Sequence, residues 1–148
     1  MEKLLSTLFR GDPDATALCL DIFHWANAYD HLVDGDLTPH TDAQLVHVAM
    51  GHLISAMGSK FYLDNHEALR VSLDNAVSTW RLSTTLQGGG SYKALELAHV
   101  MRWAPIEFFL HCARILHGED WVQEVGPWFW VEMTKDHTFD EFARECGE

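Results

Sequence analysis

Asp12-Pro-Asp-Ala-Thr-Ala-Leu-Cys-Leu-Asp21-Ile-Phe-His24-Trp-Ala-Asn-Ala-Tyr-Asp30-His31-Leu-Val-Asp34-Gly35 is the stretch that decides the fold. Asp12 has the chemistry of an N-cap, Pro13 suits the first helical position, and Asp14 complements the positive end of the helix dipole. Gly35 suits a left-handed C-cap. The spacing therefore predicts one long helix over residues 13–34. At 100° per residue, Leu18, Ile22, Trp25, Tyr29, Leu32 and Val33 form one apolar stripe, the expected core seam. Cys19, Leu20, Phe23 and Ala26 lie off it, so the first half is apolar nearly all round. Such a helix belongs at the centre of an all-α bundle.

Working outward, the rest also reads as helix. Leu4, Leu5, Leu8 and Phe9 make a short amphipathic piece closed by Gly11. Thr38 or Thr41 opens a third helix, with Leu45, Val48, Ala49, Leu53, Ala56 and Met57 at helical spacing and Gly58 at its end. Asp64 or Asn65 caps a fourth, carrying Leu69, Leu73, Ala76, Val77 and Trp80. Gly88-Gly89-Gly90 breaks the pattern, and Ser91 caps a fifth helix running toward Gly118, with a kink expected at Pro105. Further helices are expected from Glu119 and over 139–144. No alternating run supports a sheet. The expectation is a single all-α domain over residues 1–148, a bundle of five to seven helices around residues 13–34.

The 148 residues include 22 acidic and 10 basic side chains, a formal net charge of −12. That charge disfavours nucleic acid and anionic membrane as partners. No apolar run approaches a membrane span, and residues 1–10 do not read as a signal peptide, so the expected location is the cytoplasm. Cys19, Cys112 and Cys146 form no framework, and Cys19 and Cys112 are expected as small buried hydrophobes. Nine acids against two basic residues fall between Glu119 and Glu148, among Trp121, Trp128, Phe129, Trp130, Phe139 and Phe142. This acidic aromatic region is a candidate surface for a homodimer, through Trp128-Phe129-Trp130, or for a host-protein partner.

The chemistry is expected at the end of the central helix. Asp30 and Asp34 stand one above the other at i and i+4, which destabilises by a few tenths of a kcal/mol. Both meet the negative end of the helix dipole, at up to about 1 kcal/mol each. Asp36 follows the cap. A divalent cation reverses the sign of each term, and stacked aspartates suit Mg²⁺ or Mn²⁺. The expected ligands are Asp30, Asp34, Asp36 and His24; the competing reading is a solvated acidic helix end. An EF-hand register fails, because Pro39 stands at the glycine position and Leu45 at the bidentate glutamate.

Asp21-x-x-His24 and Glu96-x-x-His99 match the pattern of di-iron bundles at only two short sites. Glu107 and His111 share a helix face, with Arg102 near it, as either a catalytic group or an internal hydrogen-bonded cluster. His47 and His52 are expected to be structural. Arg70, Arg81, Lys60 and Lys93 are the available phosphate ligands. The glycine run lacks the Lys-Ser/Thr of a phosphate loop.

The run Tyr29-Asp-His-Leu-Val-Asp-Gly-Asp36, with Trp80-Arg81 and the helix from Tyr92, resembles small all-α proteins encoded by tailed bacteriophages. Their central helix ends in a similar Asp-Asp-x-x-x-Asp-Gly-Asp pattern, with His31 here replacing one Asp. The resemblance implies a phage origin more than an activity. Asp30-x-x-x-Asp34 is also similar in logic to the helix-borne acids of all-α nucleotide pyrophosphohydrolases and isoprenoid synthases, although their full motifs are missing. The leading expectation is a Mg- or Mn-dependent phosphohydrolase acting on a small anionic, phosphorylated substrate. Glu107, His31 or His24 would be the base, and Arg102 or Arg81 the phosphate clamp. The alternative is a non-enzymatic acidic phage accessory protein that binds a host or virion protein.

Overall fold

The computed structural model describes residues 1–35 and 40–147. Nine helices and no strand occur among them. They are α1 (Glu2–Leu8), α2 (Pro13–Asp34), α3 (Asp42–Gly58), α4 (Lys60–Asp64), α5 (His66–Gln87), α6 (Tyr92–Met101), α7 (Pro105–His117), α8 (Glu119–Thr134) and α9 (Phe139–Glu145). The chain divides into two compact units, Met1–His66 and Glu67–Glu148. The glycine run at 88–90 is a turn inside the second unit.

In the first unit α2 has the expected bounds for the expected reasons. The Asp12 carboxylate accepts from the Ala15 amide at 2.9 Å, Pro13 occupies the first turn, and Gly35 closes the helix at φ 73°. α1, α3 and α4 all pack on α2, as its apolar first half requires. Leu18, Cys19 and Ile22 are fully buried, and further along Trp25 and Leu32 pack half-buried against Ala28, Leu45 and Ala49. The seam then opens, and Tyr29 and Val33 are exposed.

α3 begins at Thr41 with a full capping box, in which the Gln44 side chain returns to the Thr41 amide. Ala28 meets Leu45 and Ala49, while Asp21 meets His52 and Ser55, so α2 and α3 run antiparallel. Of the apolar α3 positions read as core, Leu45, Ala49 and Ala56 are buried, but Val48 and Met57 are exposed. Ser59 ends α3 in extended conformation and caps α4 with its hydroxyl, which accounts for one more helix than the hydrophobic pattern suggests.

In the second unit Pro105 splits the expected fifth helix instead of kinking it. Proline has no amide to give the Met101 carbonyl, so that carbonyl accepts from Ala104 at 3.1 Å. A tight turn over 102–104 results, and α7 restarts with Pro105 at its first position. α7 packs on α8, where the Phe109 ring meets Phe129 edge-on; both rings, and Phe108 beside them, are fully buried. α9, capped by Thr138 and Glu141, lays Phe142 against Leu95 and Ala98 of α6.

The aromatic residues of the acidic region are therefore divided between core and surface. Phe129 and Phe142 are buried, Trp121, Trp130 and Phe139 are half-buried, and Trp128 is exposed. Of the three residues Trp128-Phe129-Trp130, expected as a candidate contact surface, Phe129 is thus core, and Trp128 is the exposed one. The i, i+1, i+2 spacing points the three rings in different directions around a helix. Phe129→Ala should cost about 3–5 kcal/mol in urea unfolding, while Trp128→Ala should stay below about 1 kcal/mol. Equal losses would contradict this division.

Candidate functional site

The first unit is pinned by a polar clamp between α2 and α3. One Asp21 carboxylate oxygen lies 2.8 Å from His52 Nδ1, and the other accepts from the Ser55 hydroxyl at 2.6 Å. The His24 ring lies over His52, with centroids 5.0 Å apart and planes tilted by 32°. The Asp21 and His52 side chains retain 22% and 33% of their exposure, so the clamp sits at the edge of the core. Ser55 donates to the carboxylate and not to the imidazole, so the three residues are not arranged as a nucleophile with its base. The clamp holds the helices in register.

Its consequence appears on the opposite side of α3. With His52 and Ser55 turned to α2, Val46, Met50, Ile54 and Met57 face outward, 45%, 49%, 65% and 45% exposed. At 100° per residue these four fall within about 80° of one another, one continuous stripe. From Ala43 to Gly58 the helix has no Asp, Glu, Lys or Arg. A helix with two apolar faces ordinarily buries both; this one is covered on one of them only.

The expected metal ligands lie at the far end of α2. Asp30 is half-buried in the penultimate turn, Asp34 is exposed in the last, and His31 beside them is exposed. Asp36 lies outside the described residues. His24 is ten residues before Asp34, about 15 Å along the axis, and faces His52 instead. Among the described residues no three His, Cys, Asp or Glu side chains gather as a cation would need.

Glu107 and Arg102 belong to the second unit and part company there. Glu107 and His111, with Arg114, form one wall of a groove of about 510 Å³. Ser72, Asn75 and Thr79 of α5 form the other. Arg114 also pairs with Glu119, holding that carboxyl below its ordinary range. Burial, and secondly the Arg114 charge, push the His111 pKa below the usual histidine value. Arg102 stands against α9, its guanidinium 5.0 Å from the Phe142 ring centre and 3.9 Å from Glu145.

No family model matches the chain, and neither a curated protein nor a solved structure matches it.

The sequence pattern contained the stripe without distinguishing it from core, because both sides of α3 are apolar. The signal available was the uncharged run 43–58 beside two histidines that need partners.

Two outcomes follow. Asp21→Ala should destabilise by about 1–2 kcal/mol, the scale of charge-assisted hydrogen bonds at a partly exposed site. A double-mutant cycle with His52→Ala should show the two losses to be strongly non-additive; additive losses would mean that the contact is not a clamp. His111 in the folded state holds its proton less tightly than in the unfolded chain. Its contribution to stability is thus complete above about pH 6.5 and is lost as the pH falls toward the lowered folded value. His111→Gln should flatten the fall in melting temperature between pH 7 and 5, and an unchanged profile would contradict that sign.

Proposed function

We propose that this chain is a protein-docking module and that the outer stripe of α3 is its binding face. The observation that carries the reading is four large apolar side chains, Val46, Met50, Ile54 and Met57, about half or more exposed on one uncharged helix face. Contiguous exposed apolar surface is costly unless something covers it. Two of the four are methionines, whose flexible, polarizable side chains adapt to a partner's contours. Covering the remaining area of each gives about 1 kcal/mol, roughly 4 kcal/mol in all. Association itself costs at least about that much. The stripe would hold a partner only weakly without a further attraction, as suits a reversible contact.

A photo-crosslinking residue at position 54 should trap one discrete partner in the native cells, and one at exposed Asp74 should not. Met50→Glu with Ile54→Glu should abolish the adduct while the melting temperature moves by only a few degrees. Diffuse labelling of equal strength at both positions would contradict the reading.

Divalent-metal binding is the second proposal, with Mg²⁺ or Mn²⁺ held by Asp30 and Asp34 and a phosphorylated substrate. What favours it is that α2 ends on Gly35, which puts both acids in the last two turns, at the negative end of the dipole. A cation that binds only the folded chain raises its melting temperature. Millimolar Mn²⁺ should therefore raise it for the parent and not for Asp30→Asn with Asp34→Asn. No shift in the parent would remove both the metal site and the hydrolase with it.

A further inference from the structure

The α3 stripe has a charge environment that selects among occupants. The first unit has nine acidic residues (Glu2, Asp12, Asp14, Asp21, Asp30, Asp34, Asp36, Asp42 and Asp64) against Lys3, Arg10 and Lys60. The antiparallel pairing of α2 and α3 brings the C-terminal end of α2, with exposed Asp34, to the start of α3, with exposed Asp42. That end adjoins Val46. At the other end α3 runs into α4, where Lys60 pairs with Asp64 and also feels the charge of Asp14. The stripe is thus an uncharged apolar strip with the carboxylates of Asp34 and Asp42 at its Val46 end and the Lys60–Asp64 ion pair beyond its Met57 end, on a unit whose net charge is negative. From Val46 to Met57 it spans about 16 Å, three turns of helix.

We propose that the occupant is a basic amphipathic helix of about three turns, with an apolar face for Met50, Ile54 and Met57 and Lys or Arg where it meets Asp34 and Asp42. This rests on the docking-face reading and adds the partner's chemistry to it. A second copy of the chain fits less well. It would bring another −12 to the contact, and like charges oppose an association that the stripe alone barely supports. A basic helix changes the sign of that long-range term and supplies the attraction that the apolar contact lacks. Helix-in-groove recognition uses the same combination of apolar anchors at i, i+3, i+4 and i+7.

The test uses the full chain and three labelled synthetic helices that share one apolar face and differ in their flanks, Lys/Arg, Gln or Glu, followed by fluorescence anisotropy. The expected result is binding of the basic peptide at least tenfold tighter than the neutral one, no binding of the acidic one, and at least tenfold weakening between 50 and 300 mM salt. Ile54→Asp is the decisive variant, because it adds a negative charge while removing an apolar contact. It should weaken the basic peptide at least tenfold, and Met57→Gln should weaken it without any change of charge. If Ile54→Asp binds as tightly or more tightly, the attraction is general electrostatics and the proposal is overturned. If the neutral peptide binds as well as the basic one and Ile54→Asp abolishes both, the docking face stands and the basic partner does not. A dimer in sedimentation that Ile54→Asp dissociates, with no peptide bound, makes the occupant a second copy and likewise overturns the proposal. A monomer that binds none of the three overturns the docking face as well.

Discussion

The rotation of α3 about its own axis is the constraint on which the functional reading depends, and one carboxylate sets it. α3 has two apolar arcs, Leu45, Ala49 and Ala56 on one and Val46, Met50, Ile54 and Met57 on the other, with Gln44, His47, Gly51 and Ser55 on a third side, so the hydrophobic effect alone leaves two faces that could be buried. Asp21 supplies the choice. Its two oxygens take His52 and Ser55, three residues apart on α3, which favours the rotation that turns both toward α2. Ala49 and Ala56, small residues beside that contact, let the helices approach. Packing then follows the polar clamp and leaves Met50, Ile54 and Met57 outside.

That arrangement explains why a stability argument by itself misreads the molecule. A sequence selected only for folding would place Lys, Glu or Gln at positions 46, 50, 54 and 57. Retaining apolar groups there gives up solubility and gains nothing in the isolated chain. The same reasoning applies to Asp30 and Asp34, set against the dipole of α2. Both features depart from what folding asks, and such departures are where function is sought. They differ in support: the α3 stripe is a contiguous surface, whereas the two aspartates gather no third ligand among the described residues.

Much of the fold was legible because local chemistry dictates it. Asp12, Pro13 and Gly35 mark the bounds of α2, Ser91 caps α6, and the buried positions Leu18, Ile22, Leu69 and Ala76 follow the helical period. What was not legible depends on neighbours distant in sequence. Tyr29 and Val33 continue the α2 stripe but lie exposed. Pro105 ends a helix where a kink was equally allowed by sequence. Phe129 is core and Trp128 beside it is surface, a distinction that only the packing of α7 on α8 creates. The candidate site was harder still. Asp21 was visible only as part of a short Asp-x-x-His pattern, and His52 only as a structural histidine; their contact joins residues 31 apart.

The most direct test of the account is the solvent exposure of the α3 methyl groups in solution. Methyl NMR of the intact chain with a soluble paramagnetic probe measures it residue by residue. The account predicts strong broadening for Met50, Ile54 and Met57 and little for Ile22 and Ile106, which are buried. Protection of Met50 and Met57 to the level of Ile22 would mean that α3 is rotated or already covered, and would contradict the docking face.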